Sequence, residues 1–173
     1  MTATGETVRG PNVTVHFEAG KCVHSRNQVL DRPDAFVPNV EGEWIHPENA
    51  TLEEVAALGA NCPSGAITYG RFDGVANEQP PPVNTVRVRE NGLLAFQAPM
   101  TIVEAGGALR ATLCRCGAST HKPYCDGSHA TAAFVASGEP ATIASTALAV
   151  RNGPVTVTPL ADGPLTITGP LEL

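Results

Sequence analysis

Alternation of apolar and polar positions marks the first element of the chain. In "VTVHFEAG" (Val13 to Gly20) apolar residues recur at every second position before the chain meets glycine, the pattern of a half-buried strand entering a turn. "TLEEVAALGA" carries the helical period instead. Leu52, Val55, Ala56 and Gly59 share one face, and Thr51 with Glu54 fits a capping box, in which each residue satisfies a free backbone N–H at the helix start. "NCPSGAITYG" then predicts a turn at Pro63–Gly65 and a short strand over Ala66–Tyr69. Residues 12–72 thus read as strand, helix, loop, helix, strand.

The pattern stops at "DGVANEQPPPVN" (73–84). Three consecutive prolines neither continue a helix nor donate to a central strand, so 73–82 is expected to be a stiff, extended linker between two small domains. The second domain, 83–173, opens on a repeat. "TVRVRENGLLAFQAPMTI" (85–102) aligns without gaps to "TVTPLADGPLTITGPLEL" (156–173), with Thr, Val, Gly, Leu and Pro coinciding. Asn91-Gly92 and Asp162-Gly163 fall at matching places, and both are hairpin-turn dipeptides. Two similar hairpins follow, whether from a shared origin or from independent use of common turn residues. The first copy leads after eleven residues into Cys114; the second either lacks a following segment or serves to complete a sheet.

Composition narrows the class. Seventeen Gly and fifteen Pro among 173 residues are too many for a helical protein and suit short strands joined by turns, while 42% apolar residues is normal for a folded chain. Net charge is −6 with no run of Lys or Arg, so nucleic-acid binding has no electrostatic footprint. No stretch approaches the ~18 apolar residues of a membrane span, and "MTATGETVRGPNVTVHF" lacks the basic start and apolar core of a signal peptide. The expectation is a cytoplasmic protein without membrane contact, where thiols stay reduced and clustered cysteines bind metal.

Such a cluster is present. "CRCGASTHKPYCDGSH" (114–129) holds three of the five cysteines and two histidines. Cys114 and Cys116, one residue apart, point the same way in extended chain and can grip one metal atom. Cys125 and His129 stand one helical turn apart, with Asp126 placed to cap that turn. Pro123 fixes a bend, and Gly117 and Gly127 let the backbone come close to a ligand. Two donors from each side suit a two-iron cluster completed by bridging sulfides. One tetrahedral zinc is the alternative, although zinc sites favour two to four residues between paired cysteines. A disulfide would strand one cysteine of the three, and a Cys125–His129 nucleophilic pair is at odds with the further thiols crowded around it.

The segment resembles the CDGSH iron–sulfur family (mitoNEET-like), whose pattern C-x-C-x2-[ST]-x3-P-x-C-D-G-[SAT]-H is met at Cys114, Cys116, Ser119, Pro123, Cys125, Asp126, Gly127, Ser128 and His129. The resemblance implies one 2Fe-2S cluster per chain, with Cys114 and Cys116 on one iron and Cys125 and His129 on the other. It also implies one-electron or whole-cluster transfer to an unknown redox or acceptor protein, without substrate chemistry and so without enzyme activity. A single motif further implies a homodimer joined through a small β cap. His129 is then the ligand that acid removes first, since a protonated imidazole cannot bind iron. Arg110, Arg115 and Lys122 are expected either to form a solvated rim or to steer an acidic partner.

The first domain carries a second resemblance. "KCVHSRNQVL" and "NCPSGAITYG" are similar to the divergent single-cluster 4Fe-4S ferredoxin-like family, but Gln28 stands where a second cysteine is expected and Ser25 at the intermediate position. Cys22 and Cys62 are too few for a four-iron cube. They pack as small apolar residues, bind another metal with His24, or pair as a disulfide. Together these resemblances imply an α+β chain: a small ferredoxin-derived α+β domain without its cluster, then a mainly β CDGSH-type domain with a cluster-binding loop and β cap. Trp44 is expected to be a packing anchor.

Overall fold

The computed structural model describes residues 5–161 and 163–173. It divides into two compact units, one up to Gln79 and one from Pro80 on. The division falls within the proline-rich stretch, and each unit has its own hydrophobic core.

In the first unit, β1 (Gly5–Arg9), β2 (Val13–Glu18) and β3 (Ile67–Arg71) form an antiparallel sheet with β2 in the centre. The alternation of β2 does what its pattern dictates: Val13 and Val15 are buried and His16 is exposed. The short helix α1 (Asn27–Asp31) and the longer α2 (Leu52–Asn61) precede β3. Helix α2 has the complete capping box, with Glu54 N–H donating to Thr51 Oγ1 (3.3 Å) and Thr51 N–H donating to Glu54 Oε2 (2.8 Å). It buries Leu52, Val55, Leu58 and Gly59 in a core shared with Phe36, Ile45 and Ile67. Trp44 packs edge-on against Phe17 at 4.9 Å and Phe36 at 6.1 Å, and its Nε1–H donates to Glu6 Oε2 (2.9 Å).

Two boundaries differ from expectation. The sheet starts seven residues before position 12, because β1 pairs with β2 in the register Thr7↔His16 and Val8↔Val15. "GETVR" has one apolar side chain, so its place comes from the backbone ladder rather than from its own pattern. Helix α1 is little more than one turn, and it starts after His24 and Arg26, both in left-handed conformation (φ 54° and 62°).

In the second unit, β4 (Thr85–Val88), β5 (Leu94–Ile102) and β6 (Gly106–Leu113) form an antiparallel meander, with β5 in the middle. β7 (Val155–Pro159) lies parallel to the end of β5, and β8 (Leu165–Thr168) pairs with β7. Both expected hairpins therefore form; Asp162 of the second turn lies outside the described residues. The core holds Val86, Phe96, Met100, Ile102, Leu113, Val155 and Val157. A one-turn helix, α3 (Ser128–Thr131), follows β6 and its loop. No helix among the described residues is long and apolar enough to cross a membrane.

Candidate metal centre

The loop that carries the cysteines leaves the fold at the end of β6 and returns beside it. Leu113 bridges Tyr124 in antiparallel fashion; Cys114 N–H donates to Pro123 O (2.8 Å) and Cys125 N–H to Thr112 O (2.9 Å). These backbone bonds close the loop at its base, placing Cys114 and Cys125 at the two sides of its mouth. Ser119, buried within the loop, ties it internally: its Oγ–H donates to Tyr124 O (2.6 Å) and accepts from His121 N–H (3.1 Å).

The four expected donors form two pairs. Cys114 Sγ and Cys116 Sγ lie 3.8 Å apart, and Cys125 Sγ lies 3.3 Å from His129 Nδ1. The second pair is set by α3: Gly127 adopts φ 88° as its N-cap, and His129 falls in its single turn. A side chain at Gly127 would be strained in that conformation. Backbone N–H groups point at the sulfurs, Ala118 at Cys116 Sγ (3.4 Å) and Gly127 at Cys125 Sγ (3.5 Å). Among the described residues no three His, Cys, Asp or Glu side chains gather around a single point that could hold one metal ion.

Asp126 organises this corner. Oδ2 accepts from Thr120 N–H and Oγ1–H, both at 2.8 Å, and Oδ1 accepts from Ser128 N–H (3.0 Å). The bonds from Ser128 and then Thr120 hold its carboxyl well below the usual carboxylate range. Asp126, one residue before the Gly127 N-cap, therefore takes the first N–H of α3 and braces the loop. Burial pushes the Cys125 thiol up, opposed by the Gly127 N–H and reinforced by Cys114 and Cys116 nearby. Three thiols that repel one another's ionised forms, with an imidazole beside them, make a donor set completed by a cation. The residues present fit an iron–sulfur group.

Arg115 has a role its position in the motif does not reveal. Its Nε–H donates to Gly92 O (3.0 Å), one terminal nitrogen to Arg89 O (2.7 Å) and the other to Ser137 O (2.9 Å), with the guanidinium 5.3 Å from the centre of the Phe134 ring. Arg110 is buried. Of the three cations considered as a steering rim, only Lys122 is exposed. The signal for Arg115 lay in a residue able to reach several carbonyls from one planar group, but its acceptors are 22 to 26 residues away and invisible in a motif.

In the first unit, Cys22 and Cys62 are both free thiols, so the disulfide reading does not hold in this structure. Cys62 is buried in the core and Cys22 packs against it. Burial raises the Cys22 thiol, keeping it neutral. Cys22 Sγ lies 4.0 Å from His24 Nδ1 and accepts the His24 N–H at 3.4 Å. A cavity of about 490 Å³ adjoins Cys22, lined also by His24, Gln28 and Trp44, and Gln28 is buried at the expected cysteine position.

Comparison with known families matches both halves. Residues 82–130 match the family described as iron-binding zinc finger CDGSH type, and residues 8–71 match the divergent 4Fe-4S mono-cluster family. The first match includes all four expected donors and leaves β7 and β8 outside. No curated protein and no solved structure matches the chain.

Proposed function

We propose, for a chain whose CDGSH-type and divergent 4Fe-4S segments make it an iron–sulfur binding protein, that residues 114–129 hold one 2Fe-2S cluster and that the protein transfers single electrons or the cluster itself. Cys114 and Cys116 take one iron; Cys125 and His129 take the other. The observation that carries this reading is the grouping of donors, two sulfurs 3.8 Å apart and a sulfur 3.3 Å from an imidazole nitrogen. Two pairs suit two metal atoms joined by sulfides, whereas a structural zinc needs all four donors around one centre.

The cluster supplies a one-electron couple; the chain supplies its seat. The loop base fixes the spacing of the pairs, Gly127 and Ala118 N–H groups offset charge on the sulfurs, and Asp126 orients the turn that carries His129. Cys125 and His129, 3.3 Å apart, are read as two ligands of one iron rather than as a nucleophile with its base, because Cys114 and Cys116 stand as further donors in the same loop.

The test is iron, zinc and acid-labile sulfide per chain on anaerobically purified protein, with its visible spectrum before and after dithionite. The expected result is two irons and two sulfides per chain and a colour that bleaches. One zinc and no colour would overturn the reading in favour of a zinc-held structural module. Markedly more iron would place metal at Cys22 and Cys62 as well.

A further inference from the structure

The two hairpins of the second unit stand in one relation throughout, 71 positions apart. Their turns carry the same bonds. Arg89 N–H donates to Leu93 O and Gly92 N–H to Arg89 O, at 3.0 and 3.1 Å; Leu160 N–H donates to Pro164 O and Gly163 N–H to Leu160 O, both at 3.2 Å. Core positions coincide as well: Val86, Leu94, Phe96 and Met100 match Val157, Leu165, Ile167 and Leu171, all in or against one core.

The pairing between the hairpins is reciprocal. Thr101, late in the first copy, lies opposite Thr156 at the start of the second, in parallel. The residue of the second copy that corresponds to Thr101 is Glu172, and the residue of the first that corresponds to Thr156 is Thr85. Thr85 and Glu172 also face each other in parallel. When one copy's late strand pairs with the other's early strand, and the reverse holds in the same register, the two are related by a two-fold axis, as in an isologous dimer interface. Here both copies belong to one chain. Asn84 locks the second junction: buried, it donates from Nδ2 to Gly153 O and Pro170 O, both at 2.8 Å, while Glu172 N–H donates to Asn84 O (3.0 Å).

We propose that the C-terminal hairpin stands in for a second copy of the chain, so that the β cap closes within one molecule and no second copy joins it. This replaces the homodimer that a single motif leads one to expect. The edges that a partner's hairpin would pair with are occupied by residues 155–157 and 172. The same hairpin also walls the motif: a cavity of about 810 Å³ beside Cys114 and Tyr124 is lined by Leu160, Leu165 and Ile167. The surface through which the metal centre is approached is thus built by one chain, and it differs from the face that a second motif-bearing copy would provide.

Thr101 and Thr156 are exposed neighbours on one face of the parallel ladder, so cysteines there form a disulfide across the junction. The full chain carrying Thr101→Cys and Thr156→Cys, mildly oxidised with its metal in place, is run under denaturing, non-reducing conditions. A cross-linked band of one-chain mass is expected, and a mixture of the two single variants gives no linked product. A two-chain band from that mixture would show hairpins exchanged between molecules and overturn the proposal. Light scattering of the parent is the second measurement: a one-chain mass supports the proposal. A two-chain mass would overturn the replacement of the homodimer, and the disulfide pattern would then show whether the second copy joins at the cap. None of these readings depends on what the loop binds, so failure of the cluster assignment stays distinguishable.

Discussion

Arg115 donates to three backbone carbonyls from one planar group, a geometry that lysine's single ammonium cannot copy. Arg115→Lys leaves two of the acceptors without their charged donor. Hydrogen bonds to charged groups contribute about 1.5–3 kcal/mol each, and because Arg115 is only half-buried, the loss of two is expected to fall at or below the low end of their sum, roughly 2–3 kcal/mol in the second unit. Urea unfolding followed by β-sheet circular dichroism measures it; an unchanged midpoint would show that the clamp contributes nothing. In the first unit, acid acts through two other arginines. The hydrogen bonds from Arg32 hold Asp34 at about 2, and those from Arg71 hold Asp73 at about 2. Both carboxyls titrate lower in the folded protein than in the unfolded chain. Their contribution is complete above pH ~4 and lost as pH falls toward about 2. Trp44, the only tryptophan, reports this unit. Its unfolding midpoint in urea should fall across that interval in the parent. Arg32→Ala with Arg71→Ala should start lower at pH 6 and fall less steeply; the charges are exposed, so the change is small.

At the scale of elements, helix α2 packs closely against β3. A Cβ added at Gly59 would lie 2.6 Å from Tyr69 Cδ1, so the ring must move to admit one methyl group. Alanine gains about 1 kcal/mol of helix propensity over glycine. Overpacking costs about 1–3 kcal/mol, and Gly59→Ala is expected to be destabilising on balance, by up to about 2 kcal/mol in the Trp44 unfolding curve. A stabilised variant would show that Tyr69 yields freely. Helix α2 was legible in the sequence because its cap, its period and its end are all local. So were both hairpins, whose turns lie within five residues, and the two donor pairs, set by spacings of two and four. Strand β1 was not legible, since four of its five residues give no apolar signal and its ladder partner supplies the order. The clamp of Arg115 and the closure of the loop base were hidden for the same reason: each joins backbone groups whose identity no side chain announces.

At the scale of the molecule, two separate cores imply two reporters of stability. Removing metal with a chelator under reducing conditions should lower the thermal midpoint of the second unit and leave the Trp44 transition unchanged. In a unit of this size a loss of even ~1 kcal/mol lowers the midpoint by about 4–8 °C, well within measurement. A shift of the Trp44 transition would show metal held in the first unit. The reciprocal register was the least legible feature, because it joins strands 55 and 87 residues apart and no periodicity predicts parallel partners at that range. It also brings the last residues of the second unit beside its first: Glu172 N–H reaches Asn84 O, and Val86 N–H reaches Glu172 O at 2.8 Å. A short splice from Leu173 to Val83, with the chain opened instead in the exposed stretch 141–150, would thread the same architecture in a different order. Topologically the unit is nearly a closed ring, because its first and last segments meet through Asn84, Val86 and Glu172.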